Sequence, residues 1–158
     1  MGFEEGPYLS AALFCEKVLV ETNGVKSAIR IVDRVTRAVS AANPPEAMAA
    51  FDYEVILLIR LKSGRVRGTH TVRIHPFKPS GEAMPPFDHS IYLEGEEDRG
   101  VDILVTMQLP LDQAGIYWFR MLFDNEPLTR VPLRVIYLPQ KIMRPGTSPS
   151  GQPPDQGS

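Results

Sequence analysis

The sequence predicts an all-β protein, a single antiparallel β-sandwich over residues 7–139, with a disordered Pro/Gly/Ser tail over residues 140–158. Three observations predict it. Segments such as Arg65–Pro76 and Val101–Leu109 alternate apolar and polar residues with the two-residue period of a strand. Fifteen prolines disfavour long helices and suit many short strands and turns. The stretch Pro110–Tyr137 reads as a corner, a strand, a turn and a returning strand. In its first strand Tyr117, Phe119, Met121 and Phe123 share one face, and Ile116, Trp118 and Leu122 share the other. Both faces are largely apolar, which predicts a central position in its sheet.

In chain order, residues 8–22 form the first strand, around Leu13, Phe14, Cys15, Val18 and Val20. Asn23-Gly24 predicts a type I′ hairpin turn, because both of its central residues need positive φ. Val25–Val35 returns as a half-buried strand, with a helix as competitor because Ile31, Val32, Val35 and Val39 also fit a 3.6-residue period. Ala41–Ala50, with Pro44-Pro45, has room for one proline-started helical turn. Asp52–Leu61 is a buried strand, and Ser63-Gly64 turns it into Arg65–Pro76 as a hairpin. Phe77–Pro86 is a loop, Phe87–Leu93 a short strand, and Glu94–Gly100 an acidic turn before Val101–Leu109. This makes seven or eight strands, the spacing of a sandwich.

Bulk composition bounds function by exclusion. The length of 158 residues supports one core without staples. A formal net charge of -2 provides no global attraction to nucleic acid or to an anionic membrane. The single cysteine, Cys15, excludes an internal disulfide and a multi-cysteine metal site, and its apolar setting predicts a buried, inert thiol. The first apolar run is broken by Glu16 and Lys17, too polar for a signal peptide or a spanning helix, so the default expectation is a bacterial cytoplasmic protein.

Catalytic and ligand motifs are absent: no nucleophile elbow, phosphate loop, dinucleotide fingerprint or His-Glu-x-x-His occurs. No cofactor is therefore expected. His70 and His75 are five residues apart on one strand and so face opposite ways, leaving Asp88 and His89 to join His70 only through the fold. The acidic group Glu94, Glu96, Glu97, Asp98 and Asp102 lacks calcium-loop spacing.

Charge is nevertheless segregated along the chain. Arg60, Lys62, Arg65, Arg67, Arg73 and Lys78 have no acidic residue among them, and the next stretch is strongly acidic. Either neighbouring strands pair these charges or a basic face is left to contact a protein partner or a second copy. No nucleic-acid motif accompanies them. Trp118 reads as core or, with Tyr92 and His89, as the lining of a small-ligand or carbohydrate cleft.

The opening segment Ala12–Val32, with its Asn-Gly turn, together with Gly115-x-Tyr117-x-Phe119 and Val131-Pro132-Leu133-x-Val135, resembles a family of uncharacterised bacterial β-sandwich proteins. Asp112-x-Ala114-Gly115-x-Tyr117 is also similar to the tyrosine corner of immunoglobulin-like, Greek-key domains, displaced by one residue and without their cysteine pair. The family resemblance implies a sandwich and carries over no catalytic residue. The expected function is a non-catalytic interaction or assembly module, with Arg60, Lys62, Arg65, Arg67 and Arg73 as the contact region. The alternative is the ligand-binding sandwich.

Overall fold

In the computed structural model, which describes residues 4–140, nine strands pack as two face-to-face sheets. They are β1 (Tyr8–Val20), β2 (Lys26–Val32), β3 (Arg34–Val39), β4 (Ala47–Lys62), β5 (Arg67–Phe77), β6 (Phe87–Glu94), β7 (Gly100–Gln113), β8 (Gly115–Phe123) and β9 (Glu126–Pro139). The first sheet has the order β2-β1-β4-β7 and is antiparallel throughout. The second has the order β3-β9-β8-β5-β6, and its β3–β9 pair is parallel. The expected tail lies outside the described residues, apart from Gln140, whose N–H donates to the Val39 carbonyl.

The core is built from the inward side chains of both sheets. Val72 and Ile74 of β5, Leu93 of β6, Tyr117, Phe119 and Met121 of β8, and Leu133 of β9 meet Phe14, Leu57, Ile59 and Leu61 from the opposite sheet. Phe14 meets Phe119 edge to face at 4.9 Å, joining β1 to β8 across the interior. Cys15 is fully buried, and burial pushes its thiol pKa up, against a smaller backbone hydrogen bond at Lys17.

Five expectations need correction. Asp52–Leu61 and Arg65–Pro76 do not form a hairpin, because β4 pairs on both sides within its own sheet, with β1 and β7. The turn at Ser63-Gly64 instead carries the chain across to the other sheet. Ser63 N–H donates to the Arg99 carbonyl and Arg65 N–H to the Glu5 carbonyl, so neighbouring loops anchor that crossing. Val25–Val35 is not one strand, since the chain changes sheet at Asp33, between β2 and β3. This crossing is what lays β3 parallel to β9.

The helical turn before residue 50 is absent, because β4 is already extended from Ala47. The first hairpin closes through Glu21, with its N–H bonded to the Val25 carbonyl and its carbonyl accepting from Gly24 N–H. Gly24 has φ of 82° and Asn23 is not among the positive-φ residues, so the turn is a type I turn with a glycine bulge, not type I′. The two-residue turn with both φ positive lies at Asp124 (45°) and Asn125 (67°), joining β8 to β9. Last, the nine strands exceed the expected seven or eight.

Candidate functional site

Among the described residues, the outward face of the second sheet gathers several cations that have no carboxylate partner. On β8 the inward residues are Tyr117, Phe119, Met121 and Phe123, so Ile116, Trp118, Arg120 and Leu122 point out. On β9 burial of Leu133, Val135 and Tyr137 turns Arg130, Pro132 and Arg134 outward. On β5 the outward set includes Arg73, His75 and Phe77.

Strand register assembles these into rows. Phe77, Trp118 and Pro132 lie side by side across β5, β8 and β9, and His75, Arg120 and Arg130 form the next row. The Arg120 guanidinium lies over the Phe77 ring at 4.5 Å and that of Arg130 over the Trp118 ring at 4.4 Å. His75 is 4.4 Å from Phe77, ring centre to ring centre. A cation held over a ring in this way is attracted by the ring's π-face, and the planar guanidinium fork is the group that fits a carboxylate or a phosphate. Arg134 stands opposite Arg34 of β3, and both are exposed.

Among the described residues, no carboxylate lies within ion-pairing distance of Arg34, Arg120, Arg130 or Arg134. The carboxylates of edge strand β6 are taken: Asp88 by Arg73 in a two-pronged contact (2.7 and 3.0 Å) and Glu94 by Arg99 at 2.8 Å. Beside the Arg120–Arg130 pair opens a recess of about 520 Å³, walled by Leu122, Pro127 and Leu128 as well as the two arginines and His75.

The basic residues expected to form a contact region are not gathered on one face. Arg60 is on β4 in the first sheet, where Asp102 holds it at 2.7 and 3.2 Å. Asp102 also binds Lys26 at 2.8 Å. Although burial opposes it, hydrogen bonds to Arg60 and Lys26 hold the Asp102 carboxyl below the usual range. Lys62 donates to the Asp98 carbonyl, and Arg65 faces Glu97 at 3.6 Å in an exposed pair. Arg67 packs its aliphatic stem against Gly95, and Arg73 is held by Asp88.

The residues considered for a ligand cleft are also separated. Tyr92 pairs with Thr69 and Trp118 with Phe77, eight residues further along β5, roughly 26 Å at strand spacing. His89 is on the same strand as Tyr92 with the opposite parity, so it turns toward the other side of the sheet. Trp118 is half-buried on the outer face, under Arg130, and does not belong to the central core.

His70, His89 and Asp88 do not converge. His70 instead holds Asp124 in the β8–β9 turn through Nδ1 (2.6 Å) and the Arg67 carbonyl through Nε2 (2.7 Å). Both partners accept hydrogen bonds, so the two contacts are made together only by the imidazolium form, and both ring nitrogens are engaged. Among the described residues no three His, Cys, Asp or Glu side chains gather as a metal site, and no helix is long and apolar enough to cross a membrane.

A second groove, about 580 Å³, follows the β2–β3 crossing. There Arg30, at φ 57°, reaches Glu16 at 2.7 Å, so its charge is balanced locally. Inside the sandwich, Arg37 Nη1 and Tyr137 Oη, from register-paired residues, are buried without a hydrogen-bond partner among the described residues.

The corner before β8 has the geometry its sequence suggested. Tyr117 Oη accepts the N–H groups of Asp112 (3.0 Å) and Gln113 (3.1 Å), and its hydroxyl donates to Asp112 Oδ1 at 3.2 Å. Lys78 Nζ completes the corner at 2.9 Å from Asp112 Oδ2. A model of a family of unknown function (DUF6941) matches residues 10–136, spanning all of this. The chain belongs to that family. The DUF6941 match begins in β1 and ends in β9, so it takes in the Arg120–Arg130 and Arg34–Arg134 pairs as well as the tyrosine corner. No curated protein matches the chain in sequence.

The sequence reading passed over Arg120, Arg130, Arg134 and Phe77. One signal was present: Arg120 shares its parity with Ile116, Trp118 and Leu122, a cation placed on the open side of a strand whose other side is pure core.

Proposed function

We propose that this member of the DUF6941 family is a non-catalytic protein-interaction module of the bacterial cytoplasm, and that the outward face of β8 and β9 is its contact surface. The observation that carries this reading is the Arg120–Arg130 pair. Two like charges stand in register on adjacent strands and disfavour each other. Other cations, such as Arg60, Arg73 and Lys78, have carboxylates. Leaving this pair unbalanced makes sense where a partner supplies the anion. The sandwich form and the tyrosine corner support kinship with immunoglobulin-like interaction domains.

The test is site-directed photo-crosslinking in the native cells, with a photoreactive residue at Leu122 or, as control, at Leu104 on the first sheet. The reading expects a protein adduct from the Leu122 position that disappears with Arg120→Glu plus Arg130→Glu. The absence of any such adduct, or equal adducts from both positions, would count against it. The recess beside Arg120 favours a second reading, a small-ligand or carbohydrate-binding sandwich, which predicts saturable glycan or metabolite binding by the isolated protein.

A further inference from the structure

The partner's chemistry can be read from what surrounds the arginine pair. We infer that the β8–β9 face binds an extended acidic segment of a protein partner, with one carboxylate forked by Arg120 and Arg130 and an apolar side chain seated in the adjoining recess. This inference rests on the interaction-module reading above.

Along β9 the outward residues run Arg130, Pro132, Arg134, and the recess walled by Pro127 and Leu128 lies at the hairpin end of the row. Arg130 and Arg134 are four residues apart, about 13 Å at strand spacing, the distance an extended peptide covers in four residues. Such a peptide, with every second side chain facing the sheet, meets the recess, the Arg120–Arg130 pair, the Trp118–Pro132 row and the Arg134–Arg34 pair in turn. The complementary pattern is therefore an apolar residue, an acidic residue two positions on, an apolar residue two further, and a second acidic residue two beyond that.

Two alternatives fit less well. A single-stranded nucleic acid needs open ring faces for base stacking, whereas guanidinium groups already cover Phe77 and Trp118. Its bases carry at most the single methyl of thymine, too small to fill a recess of about 520 Å³ walled by Leu122, Pro127 and Leu128. A second copy would most simply offer its acidic loop, but that loop is engaged within its own chain. There Glu94 and Glu96 hold Arg99 at 2.8 and 3.2 Å, and Glu97 faces Arg65.

The experiment pans a display library of random peptides against the full chain, then measures the enriched peptides by fluorescence anisotropy. Oligo(dT) is titrated in parallel. The expected result is enrichment of two acidic residues four apart with an apolar residue two positions before the first. Affinity should fall about tenfold or more with Arg130→Glu, and by a smaller factor with Arg134→Glu, with melting temperature preserved. Peptides lacking acidic residues, peptides indifferent to both reversals, or no enrichment at all would overturn the acidic-segment inference. A crosslinked cellular partner would still uphold the module reading in those cases. Oligo(dT) binding that Arg130→Glu abolishes would overturn both.

Discussion

Arg120 and Arg130 face each other in register across β8 and β9, each stacked on the aromatic ring of a neighbouring row and neither with a carboxylate among the described residues. A directly opposed like-charged pair disfavours folding by a few tenths of a kcal/mol to about 1 kcal/mol. The stacking contacts, worth about 0.5–1 kcal/mol each at exposed sites, offset that cost.

It follows that Arg130→Glu should leave stability nearly unchanged. A favourable cross-strand pair with Arg120 replaces a repulsive one, while the contact with Trp118 is lost, and the net effect should be within about 0.5 kcal/mol. Urea denaturation measures it. A loss of several kcal/mol would mean that the arginine is structural, which removes the reason for assigning it to a partner.

Tyr117→Phe should be much more costly. The hydroxyl is the acceptor for two backbone N–H groups and a donor to Asp112, all at the turn into β8. Deleting it strands these part-buried groups, at a cost of about 1–3 kcal/mol in equilibrium unfolding. An unchanged midpoint would show that water replaces the hydroxyl.

The His70–Asp124 clasp makes stability depend on pH. Burial alone would lower the His70 pKa, but the Asp124 hydrogen bond, the Arg67 carbonyl and the Asp124 charge outweigh it and raise the value. Burial alone would raise the Asp124 pKa, but hydrogen bonds from Thr71 N–H and His70, with the His70 charge, lower it. The histidine's contribution is complete below the ordinary imidazole pKa of about 6.5 and fades as pH rises through the raised value. The aspartate's contribution is complete above its ordinary pKa of about 3.9 and fades as pH falls through the lowered value. Asp124→Asn keeps a side chain tolerant of the positive φ of 45° and removes the charge. The gap in melting temperature between wild type and this variant should be widest near pH 5–6 and shrink toward pH 9. A gap that is flat across that range would rule out the clasp as its source.

Gly100→Ala probes the close packing where β7 starts. An added Cβ would collide with the Leu61 carbonyl and the Lys62 backbone, neither of which can swing aside. The variant should lose more than about 2 kcal/mol in denaturant unfolding. Gly24→Ala is the contrast, because nothing lies within 4 Å of the new methyl and only the φ of 82° opposes it. Its cost should be about 1 kcal/mol. Equal losses at the two sites would contradict the steric account.

Much of this molecule is legible without coordinates. The alternation in β5 and β7 identified which side chains are buried, and Asp112 through Tyr117 identified the corner, because both depend on residues close together in the chain. The two-residue period says which face of a strand is inside, but it is silent on the strand's neighbours. Those were decided by the tertiary structure: β4 is flanked by β1 and β7, so β5 has to pair elsewhere, and the break at Asp33 places β3 alongside β9. The fate of the charges follows the same division. Arg60 and Arg73 lie near each other in sequence, yet each finds its carboxylate on whichever strand its own sheet puts beside it. Arg120 and Arg130 find none among the described residues, because register sets them opposite each other, a relationship fixed only once β8 and β9 have paired.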